Sequence, residues 1–460
     1  MSYMPVVRVF ATTQRPDYEN PWQSQSAQNS TGSGVVVAGR YIVTGAHVVA
    51  DATFLQVQKI SDPDKAVARV VAVGHDCDLA LLTVDDDSFW ADLPAATLGP
   101  LPQLRDQVQV VGFPTGGDEL SVTEGVVSRI EVQRYSHSQR YLLAITVDAA
   151  INAGNSGGPV FQGDTVVGIA FQTLADAENV GELVPAVFIH RLLESAARAQ
   201  DLLVPGIGVS TQGLENPTLR ASLGMAPGTS GVLVTGVAFG SSAWGVVKTG
   251  DVLCGLDGHP IANNQTVRYQ DRIRTHFAVI LADHHVGDRI AVVLLRDGQR
   301  LETELVLAPH THLVPANRYD TQPHWYLWGG LVFQVLCRDY LETWSKWWAN
   351  APRRLVDLYY NGERTEERQE ILVISQVLAD ELTVGYEHFY NRTVNTVNGE
   401  APVDLAHLAR LLDGAQGHVE ICTDLGERMV FDAQAVRGAA SRILSRYRIP
   451  TDRGARLARD

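Results

Sequence analysis

Ser156 lies in the segment DAAINAGNSGGPV, where glycines and asparagines surround a single hydroxyl group. A serine hydroxyl is a weak nucleophile until a neighbouring base accepts its proton. The flanking glycines permit a tight turn on which several backbone N–H groups converge, and such donors can stabilise an oxyanion. The same composition also suits an ordinary surface turn, so this segment alone leaves both interpretations open.

A histidine and an aspartate upstream could activate that hydroxyl. His47 ends an apolar run in VTGAHVV, and Asp78 begins one in DCDLALL. Histidine is the usual general base, and a carboxylate fixes its tautomer and stabilises its charged form. The order His, Asp, Ser is that of the chymotrypsin arrangement. His75 and Asp76 are competing candidates, but they do not directly precede an apolar strand, and we interpret them as an exposed loop.

Short strands must position these three residues, because each motif begins or ends a short apolar run. Residues 1–200 contain many such runs separated by Gly-rich turns, which favours a β-barrel or a β-sandwich. The stretch SGVVVAGRYIVTGAHVV predicts a hairpin with an Ala-Gly-Arg turn. From Val187 the apolar residues follow helical spacing, which predicts a helix at the end of this region.

Two further regions follow the first. The segment DLLVPG, whose composition indicates a linker, leads into the region 205–309. This region includes DRIAVVLLRDGQRLETELVLAP, which predicts a hairpin with Asp-Gly at its tip. Residues 312–450 contain a strand, an Asn-Gly turn and an amphipathic helix with Leu405, Leu408 and Leu412 on one face. The phrases GDVLCGLDGHPI and RTVNTVNGEAPV share this order of strand, turn and apolar residue, which is a weak internal repeat.

Composition excludes several classes of function. The chain has 460 residues and a formal net charge of −15, which argues against nucleic acids and anionic membranes as partners. It contains no run of about 18 apolar residues, and its first residues lack the apolar segment of a secretory signal. The four cysteines, which are far apart, are Cys77, Cys254, Cys337 and Cys422. They indicate reduced thiols, and we expect a cytoplasmic protein.

We expect neither a cofactor nor a metal. The cysteines fit no metal-ligand spacing. His284 and His285 are adjacent, but neighbours on one strand point to opposite faces and would not bind one ion together. The segment GFPTGGD, Gly112–Asp118, lacks the Lys-Ser/Thr ending of a phosphate-binding loop, and we expect it near the catalytic centre instead.

Four motifs taken together closely resemble the pattern of the HtrA/Deg serine proteases. They are TGAHVV, DLALL, DAAINAGNSGGPV and VGIAFQT. The resemblance implies a mainly β protein whose chymotrypsin-like double β-barrel is followed by two PDZ-like α/β domains. It also implies that His47 is the general base, Asp78 its orienting carboxylate and Ser156 the nucleophile. The backbone N–H groups of Gly154, Asn155 and Ser156 would then form the oxyanion hole.

The same resemblance suggests the shape of the primary specificity pocket. Ala150, six positions before the nucleophile, would lie near its floor, and Ile169, Ala170 and Phe171 would supply a wall. None of these side chains can pair with Lys or Arg, so we expect cleavage after small or medium apolar residues such as Val, Ala or Ile. Because such residues are buried in folded proteins, unfolded proteins would be the favoured substrates.

Most of the region 205–309 resembles a PDZ domain, and the region 312–450 resembles one less clearly. A PDZ domain adds an extended peptide as a strand and holds its terminal carboxylate in a backbone nest. The candidate nest comprises Gly206, Ile207, Gly208 and Val209, although an ordinary linker turn fits the same residues. The Trp-rich segment 325–348 departs from the common pattern, and both an interface and core packing would explain it.

These observations predict an ATP-independent serine endopeptidase of the HtrA/Deg type that cleaves unfolded or damaged proteins through an acyl-enzyme, in protein quality control. The resemblance further implies a homo-oligomer built from trimers, with a trypsin-like domain at 1–200 and PDZ-like domains at 205–309 and 312–450. The alternative is a latent protease that acts mainly as a PDZ adaptor or chaperone.

Overall fold

The computed structural model describes residues 3–114, 119–152, 154–173, 180–309 and 311–457. The chain divides into two compact units: the first contains Met1–Thr13 and Ala27–His310, and the second contains Gln14–Ser26 and Thr311–Asp460. Among the described residues, no helix combines the length and apolar character needed to cross a membrane.

The first unit begins with a closed barrel whose strands follow the order β1-β2-β3-β6-β5-β4. These strands are β1 (Val6–Thr13), β2 (Gln28–Val37), β3 (Tyr41–Thr44), β4 (Ala52–Lys59), β5 (Lys65–Gly74) and β6 (Leu79–Val84). A short helix, α1 (Ala46–Val49), follows β3, and 3-10 helices span His75–Cys77 and Asp87–Trp90. The pairing of Val37 with Tyr41 confirms the predicted hairpin. Its turn places Gly39 and Arg40 at φ +91° and +62°, a region that glycine adopts readily.

A second barrel follows, with strands β7 (Thr97–Leu98), β8 (Gln107–Gly112), β9 (Ser121–Arg134), β10 (Tyr141–Val147), β11 (Pro159–Gln162), β12 (Thr165–Thr173) and β13 (Gly181–Pro185). Strands β8 to β13 form a ring that the pairing of β11 with β12 closes, and β7 lies parallel to β12. Fully buried apolar side chains such as Val110, Ile145 and Leu183 fill the core. The mainly β, double-barrel fold class predicted from the sequence is therefore confirmed.

Helix α2 (Ala186–Ala197) follows the second barrel. It begins one residue before Val187, where helical spacing begins in the sequence. It buries Phe188, Ile189 and Leu192 and packs on β5, β6 and β12. The predicted helix is thus confirmed, and its apolar face joins elements of both barrels.

The rest of the first unit is a sheet in the order β15-β16-β17-β21-β22 with smaller pairings around it. Its elements are β14 (Pro205–Gly206), β15 (Val209–Gly213), α3 (Pro217–Ser222), β16 (Val232–Val237), β17 (Val252–Leu256), β18 (His259–Pro260), β19 (Thr266–Tyr269), β20 (Ile273–His276), a 3-10 helix (Phe277–Asp283), β21 (Arg289–Arg296), β22 (Gln299–Val306) and β23 (Ala308–Pro309). Arg296 pairs with Gln299, and Asp297 and Gly298 both have positive φ. The predicted Asp-Gly hairpin is confirmed.

The second unit has a six-stranded sheet in the order β24-β25-β26-β27-β28-β29. Its elements are β24 (Trp325–Trp328), β25 (Leu331–Val335), α4 (Arg338–Leu341), α5 (Trp347–Asn350), α6 (Arg353–Asn361), β26 (Leu372–Val377), a 3-10 helix (Glu381–Thr383), β27 (Arg392–Val397), α7 (Leu405–Asp413), β28 (His418–Thr423), β29 (Arg428–Asp432) and α8 (Ala433–Tyr447). As predicted, α7 buries Leu405, Leu408 and Leu412.

Core packing accounts for most of the Trp-rich segment. Trp325, Trp328 and Trp347 are buried within the second unit, whereas Trp348 is 62% exposed. The indole of Trp347 is stacked with Tyr360 at a ring-centroid distance of 5.9 Å.

The connection between β1 and β2 is part of the second unit, which no sequence pattern predicted. Tyr18 is buried there among Leu336, Cys337 and their neighbours, and its carbonyl oxygen accepts a hydrogen bond from Gln334 Nε2 at 3.0 Å. Trp22 packs edge-on against Trp325. Residues Gln14–Ser26 therefore interrupt the first hairpin of the barrel and complete a core elsewhere in the chain.

Candidate active site

His47 and Asp78 form a pair with two contacts. The Nδ1 atom of His47 lies 2.7 Å from Asp78 Oδ2, and the His47 backbone N–H donates to Asp78 Oδ1 at 2.8 Å. His47 lies on α1, directly after β3, and Asp78 joins a 3-10 helix to β6. Asp78 has φ +55°, a conformation that aspartate tolerates better than most residues. One carboxylate oxygen thus accepts from the imidazole Nδ1–H and the other accepts from the backbone N–H of the same histidine.

The electrostatics of this pair favour the charged forms of both residues. Burial lowers the pKa of His47, but the charge of Asp78 and its hydrogen bond raise it, and the net pKa lies above the ordinary histidine value. Burial raises the pKa of Asp78, whereas the charge and hydrogen bonds of His47 lower it below the ordinary aspartate value. The pair therefore suits a base that becomes charged during a reaction.

Ser156 lies in the turn between β10 and β11, close to the segment that carries His47. Its carbonyl oxygen accepts a hydrogen bond from the Ser33 N–H at 3.0 Å. A Cβ atom on Gly32 would lie 2.6 Å from Val48 Cγ1 and 3.2 Å from the Ser156 carbonyl oxygen. Gly32 thus lies between Val48, the residue next to His47, and the turn that carries Ser156. The segments of His47 and Ser156 thus meet at Gly32 and Ser33 of β2, and Asp78 joins them through its contacts with His47.

The backbone of the turn has specific requirements. Gly154 and Gly157 have φ +97° and +81°, and a Cβ on Gly157 would lie 2.3 Å from Thr44 Oγ1 and 2.4 Å from the Ser33 carbonyl oxygen. The Asn155 N–H donates to the Asn152 carbonyl at 2.9 Å. This N–H is thereby engaged within the turn, in contrast to its expected place in an oxyanion hole. Ala153 lies outside the described residues.

Ser33, on β2, holds this turn from the first barrel and was missed in the sequence. Its hydroxyl donates to the Gly154 carbonyl at 2.7 Å and accepts the Phe113 N–H at 2.8 Å. The side chain is fully buried. A buried serine between two glycines in STGSGVVV was the available signal. Gly112 and Phe113 open the segment GFPTGGD, of which residues 115–118 lie outside the described residues.

The predicted pocket residues lie on both sides of the turn. Ala150 is half-buried, and Ile169, Ala170 and Phe171 are buried on β12. The Ala170 carbonyl accepts the Gly157 N–H at 2.8 Å, and its N–H donates to the Gly158 carbonyl at 2.9 Å. Phe171 packs against Tyr135 with ring centroids 4.5 Å apart. The backbone of Ala170 is therefore bonded to the turn that carries Ser156, whereas the Phe171 ring belongs to a buried aromatic pair.

His75 and Asp76 are not an exposed loop, so that interpretation is wrong. Both are half-buried. His75 Nδ1 lies 3.0 Å from His137 Nε2, and Asp76 accepts the Val204 N–H at 2.9 Å and pairs with Arg140 at 3.2 Å. The physical reason is the hairpin between β9 and β10, which covers this turn and is 62 residues away from it in sequence. His137 and Arg140 had no local signal.

The candidate peptide nest is held in place through its carbonyl groups. The carbonyls of Gly206, Ile207 and Gly208 accept hydrogen bonds from Ser242 Oγ at 2.7 Å, from the Ala243 N–H at 3.0 Å and from the Ala238 N–H at 2.8 Å. Val209 begins β15, directly after them. These carbonyl contacts attach the candidate nest to residues 238–243.

His284 and His285 follow a 3-10 helix, so the expected strand is wrong. His284 Nε2 lies 2.9 Å from Asp257 Oδ2, and His285 Nε2 lies 2.9 Å from Glu194 Oε2. The two imidazoles therefore engage different carboxylates. Within the described part of the chain, no group of three His, Cys, Asp or Glu residues has a geometry that could hold a metal.

Two family models match parts of the chain. The family model of the trypsin-like peptidase domain matches residues 32–169, and that of the PDZ domain matches residues 314–456. Protease Do-like 2, chloroplastic, of Arabidopsis thaliana is 38% identical over 458 residues, which cover 98% of this chain and 75% of the relative. Protease Do-like 4, mitochondrial, of the same plant is 36% identical and covers 97% of this chain and 84% of the relative.

Among solved structures, the HtrA-type protease AlgW with tripeptide aligns with a TM-score of 0.52 and 25% identity, covering 67% of this chain and 95% of that chain. The names of the curated relatives also correct one expectation. Those relatives are chloroplastic and mitochondrial proteases, so the cytoplasmic location expected from the sequence is wrong. Its basis was the lack of an apolar signal, and organelle transit peptides are amphipathic and Arg-rich instead.

Proposed function

The chain belongs to the HtrA/Deg family of serine proteases, and from this premise we propose that Ser156, His47 and Asp78 are its catalytic triad. The observation that carries the proposal is the two-contact pair of His47 and Asp78, which stands beside the turn of Ser156. Because Nδ1 of His47 donates to Asp78, the Nε2 lone pair is available to accept a proton.

In the proposed reaction, Ser156 Oγ attacks the scissile carbonyl carbon while its proton moves to His47 Nε2. The imidazolium is stabilised by Asp78 and then protonates the departing amine, which leaves an acyl-enzyme. Water attacks this ester with His47 again as the base, and Ser156 is released with its proton restored. Asp78 stays ionised throughout, in accordance with its lowered pKa.

For the oxyanion hole we assign the N–H groups of Gly154 and Ser156. The Asn155 N–H is engaged by the Asn152 carbonyl, which leaves the residues on either side as the candidates. Two such donors aimed at the developing charge contribute most to this kind of catalysis, about 3 kcal/mol for one donor. Gly154 has φ +97°, a conformation that L side chains rarely adopt.

We further propose that the primary pocket accepts small or medium apolar side chains. Ala150 would form the floor, with Ile169, Ala170 and Phe171 along one wall. Support comes from the chemistry of these side chains: all four are apolar, and the three of the wall are buried on β12. None of them carries a charge that could pair with a Lys or Arg side chain of a substrate.

The substrates that fit this pocket are unfolded or damaged proteins, since apolar residues are exposed in them. We accordingly assign the enzyme to protein quality control, acting without ATP on extended peptides. We assign residues 1–200 to the protease domain, 205–309 to a first PDZ-like domain and 312–450 to a second. Gly206, Ile207, Gly208 and Val209 are the candidate peptide site of the first. We expect a homo-oligomer built from trimers.

A serine-directed fluorophosphonate tests the triad. We expect it to label the wild type and not Ser156→Ala, and casein to be degraded by the wild type alone. Mass spectrometry of the casein fragments should place cleavage after Val, Ala or Ile. If the wild type is neither labelled nor active, while circular dichroism shows it folded, the proposal fails and an adaptor or chaperone role is favoured. Cleavage after Lys or Arg would contradict the proposed pocket alone.

A further inference from the structure

A row of polar side chains crosses the outer face of the first barrel and begins at Ser33, which holds the turn that carries Ser156. Ser33 on β2 lies opposite Arg8 on β1. Arg8 in turn lies opposite Gln58 on β4, and Gln58 lies opposite Lys65 on β5. Residues in register on neighbouring strands point to the same face of a sheet. The row therefore leads from the candidate active site to Lys65.

The last three members of this row line a cavity of about 560 Å³. Phe10 on β1 and Phe113, which directly follows β8, contribute to the same cavity. The N–H of Phe113 donates to the Ser33 hydroxyl at 2.8 Å. The cavity thus adjoins the contact that holds the turn of the proposed nucleophile.

Two cationic side chains converge on one ring in this cavity. The Nζ atom of Lys65 lies 3.6 Å from the centroid of the Phe10 ring, and the guanidinium carbon of Arg8 lies 5.0 Å from the same centroid. Each cation is attracted to the aromatic ring, but the two like charges repel each other. Among the residues that the structure describes, no carboxylate forms an ion pair with Lys65. An anion that reaches both cations would offset their repulsion.

The acidic residues that line the cavity do not supply this anion. Asp62 pairs with Lys59 at 3.4 Å and accepts the Asp64 N–H at 3.0 Å, so its carboxylate is already engaged. Glu119, in the connection from β8 to β9, is the other carboxylate among the lining residues, and it is exposed. The whole chain carries a formal net charge of −15. A local excess of positive charge beside the candidate active site is therefore a feature of this cavity and not of the overall composition.

The cavity and the proposed primary pocket lie on different sides of the turn that carries Ser156. On one side, backbone hydrogen bonds join Ala170 of β12 to Gly157 and Gly158. On the other side, the Ser33 N–H of β2 donates to the Ser156 carbonyl at 3.0 Å. The substrate residue that enters the primary pocket precedes the scissile bond. The residues that follow this bond therefore extend toward β2 and the cavity.

We propose that this cavity is a subsite for an acidic substrate residue on the C-terminal side of the scissile bond, with Lys65 and Arg8 as its specificity-determining residues. The Phe10 ring offers an apolar surface to the methylene groups of a Glu side chain. The row from Ser33 to Lys65 crosses three strand spacings, about 14 Å, which an extended chain covers in about four residues. We therefore place the acidic residue about four positions after the scissile bond. This inference rests on the proposed triad.

Pairs of internally quenched peptides test the subsite on the intact protein. Both peptides of a pair have Val before the scissile bond and differ only in a Glu or a Gln, which is moved from the second to the sixth residue after the bond. We expect the wild type to prefer Glu about threefold in kcat/KM near the fourth residue, the size expected for an exposed ion pair. The difference should lie in KM, and added salt should reduce it.

Lys65→Glu is the sharpest variant, because it reverses the charge at the exposed end of the row. The Glu-to-Gln ratio of kcat/KM should fall below one, and a peptide with Lys at the same position should become the better substrate. Arg8→Gln should move the ratio toward one. The matched control is Lys248→Glu, which makes the same change of charge at an exposed residue between β16 and β17 and should keep the wild-type ratio.

Equal rates for the Glu and Gln peptides at every position, or a wild-type ratio in Lys65→Glu, would overturn the subsite and leave the triad in place. A preference for Glu that is the same at all positions would also overturn it, because a fixed subsite acts on one part of the substrate. If the wild type cleaves no peptide, the proposed triad fails and the subsite with it, so the two failures are distinguishable. Each ratio is taken within one protein, so a reduced folded fraction cancels, and Lys65→Gln decides if Lys65→Glu does not fold.

Discussion

The hydroxyl of Ser33 donates to the carbonyl of Gly154 at 2.7 Å, across a sequence separation of 121 residues. A strand of the first barrel thus holds the turn of the second barrel that carries Ser156. The Gly154 carbonyl belongs to the peptide group that joins Gly154 to Asn155, so Ser33 fixes the backbone between Gly154 and Ser156, the two residues proposed to supply the oxyanion donors. If the proposed triad is correct, Ser33 therefore supports catalysis by holding this turn.

We expect Ser33→Ala to reduce kcat/KM by about tenfold to a hundredfold, because the Gly154 carbonyl and the Phe113 N–H both lose a buried partner at a cost of about 1–3 kcal/mol. Kinetics on a peptide substrate measures the loss, and chemical denaturation separates it from unfolding. Ser30→Ala is the control, since Ser30 is exposed on the same strand, and it should behave like the wild type. Full activity in Ser33→Ala would contradict this role.

Asp78→Asn should abolish most activity while leaving the fold intact. The asparagine oxygen can still accept the His47 N–H, but its NH₂ group would then face Nδ1 and favour the wrong imidazole tautomer. The expected loss in kcat is about 10⁴-fold, by analogy with the same change in other Ser-His-Asp enzymes. Stopped-time assays of peptide cleavage, with thermal unfolding alongside, provide the measurement. A loss of less than tenfold would show that Asp78 does not orient the base.

The pH dependence of activity follows from the two shifted pKa values. Because the pKa of His47 is raised, more of the enzyme is protonated at a given acid pH, and kcat/KM should rise only above the ordinary histidine range near pH 6.5. The free energy of unfolding changes with pH in the opposite direction. His47 stabilises the fold fully at a pH below its unfolded pKa, and this stabilisation is lost as the pH rises through its folded pKa. The lowered pKa of Asp78 stabilises the fold above the unfolded value of that residue and does so less as the pH falls.

Profiles of kcat/KM and of the free energy of unfolding, measured in the same buffers, test both signs. An acid limb below pH 6 would contradict the raised pKa of His47. The comparison of wild type with His47→Gln isolates the stability contribution, which should shrink as the pH rises.

Gly157→Ala should destabilise the protein by several kcal/mol and remove activity. Its φ of +81° strains an L side chain, and its Cβ would overlap Thr44 Oγ1 and the Ser33 carbonyl at 2.3 and 2.4 Å. Gly163→Ala separates the two effects, because Gly163 has φ +57° but nothing within 4 Å of the added carbon. It should cost only about 1 kcal/mol. Equal costs in the two variants, measured by denaturant unfolding, would show that the crowding is relieved cheaply.

Local patterns predicted what depends on neighbours in sequence. The Asp-Gly hairpin, the helix with Leu405, Leu408 and Leu412, and the start of β6 directly after Asp78 are all of this kind. His47 was expected at the end of a strand and instead lies on the short helix α1 that follows β3. The hydrogen bond of Ser33 and the pairing of His75 with His137 join residues 121 and 62 positions apart, and no periodicity reports such contacts. His284 and His285 were misplaced because a short apolar run fits a strand and a 3-10 helix equally well.

Because Gln14–Ser26 are part of the second unit, both the folding of this unit during synthesis and its release by proteolysis are affected. During synthesis, Tyr18 emerges long before its partner Gln334, which is 316 residues further along the chain. The core around Tyr18 can therefore form only after almost the whole polypeptide is available, and contacts of such high sequence separation slow folding. A protease that cleaves at the boundary near Thr311 would not release an intact C-terminal domain. It would leave Tyr18 and Trp22 on the other fragment, and the released piece would lack one buried and one half-buried aromatic side chain.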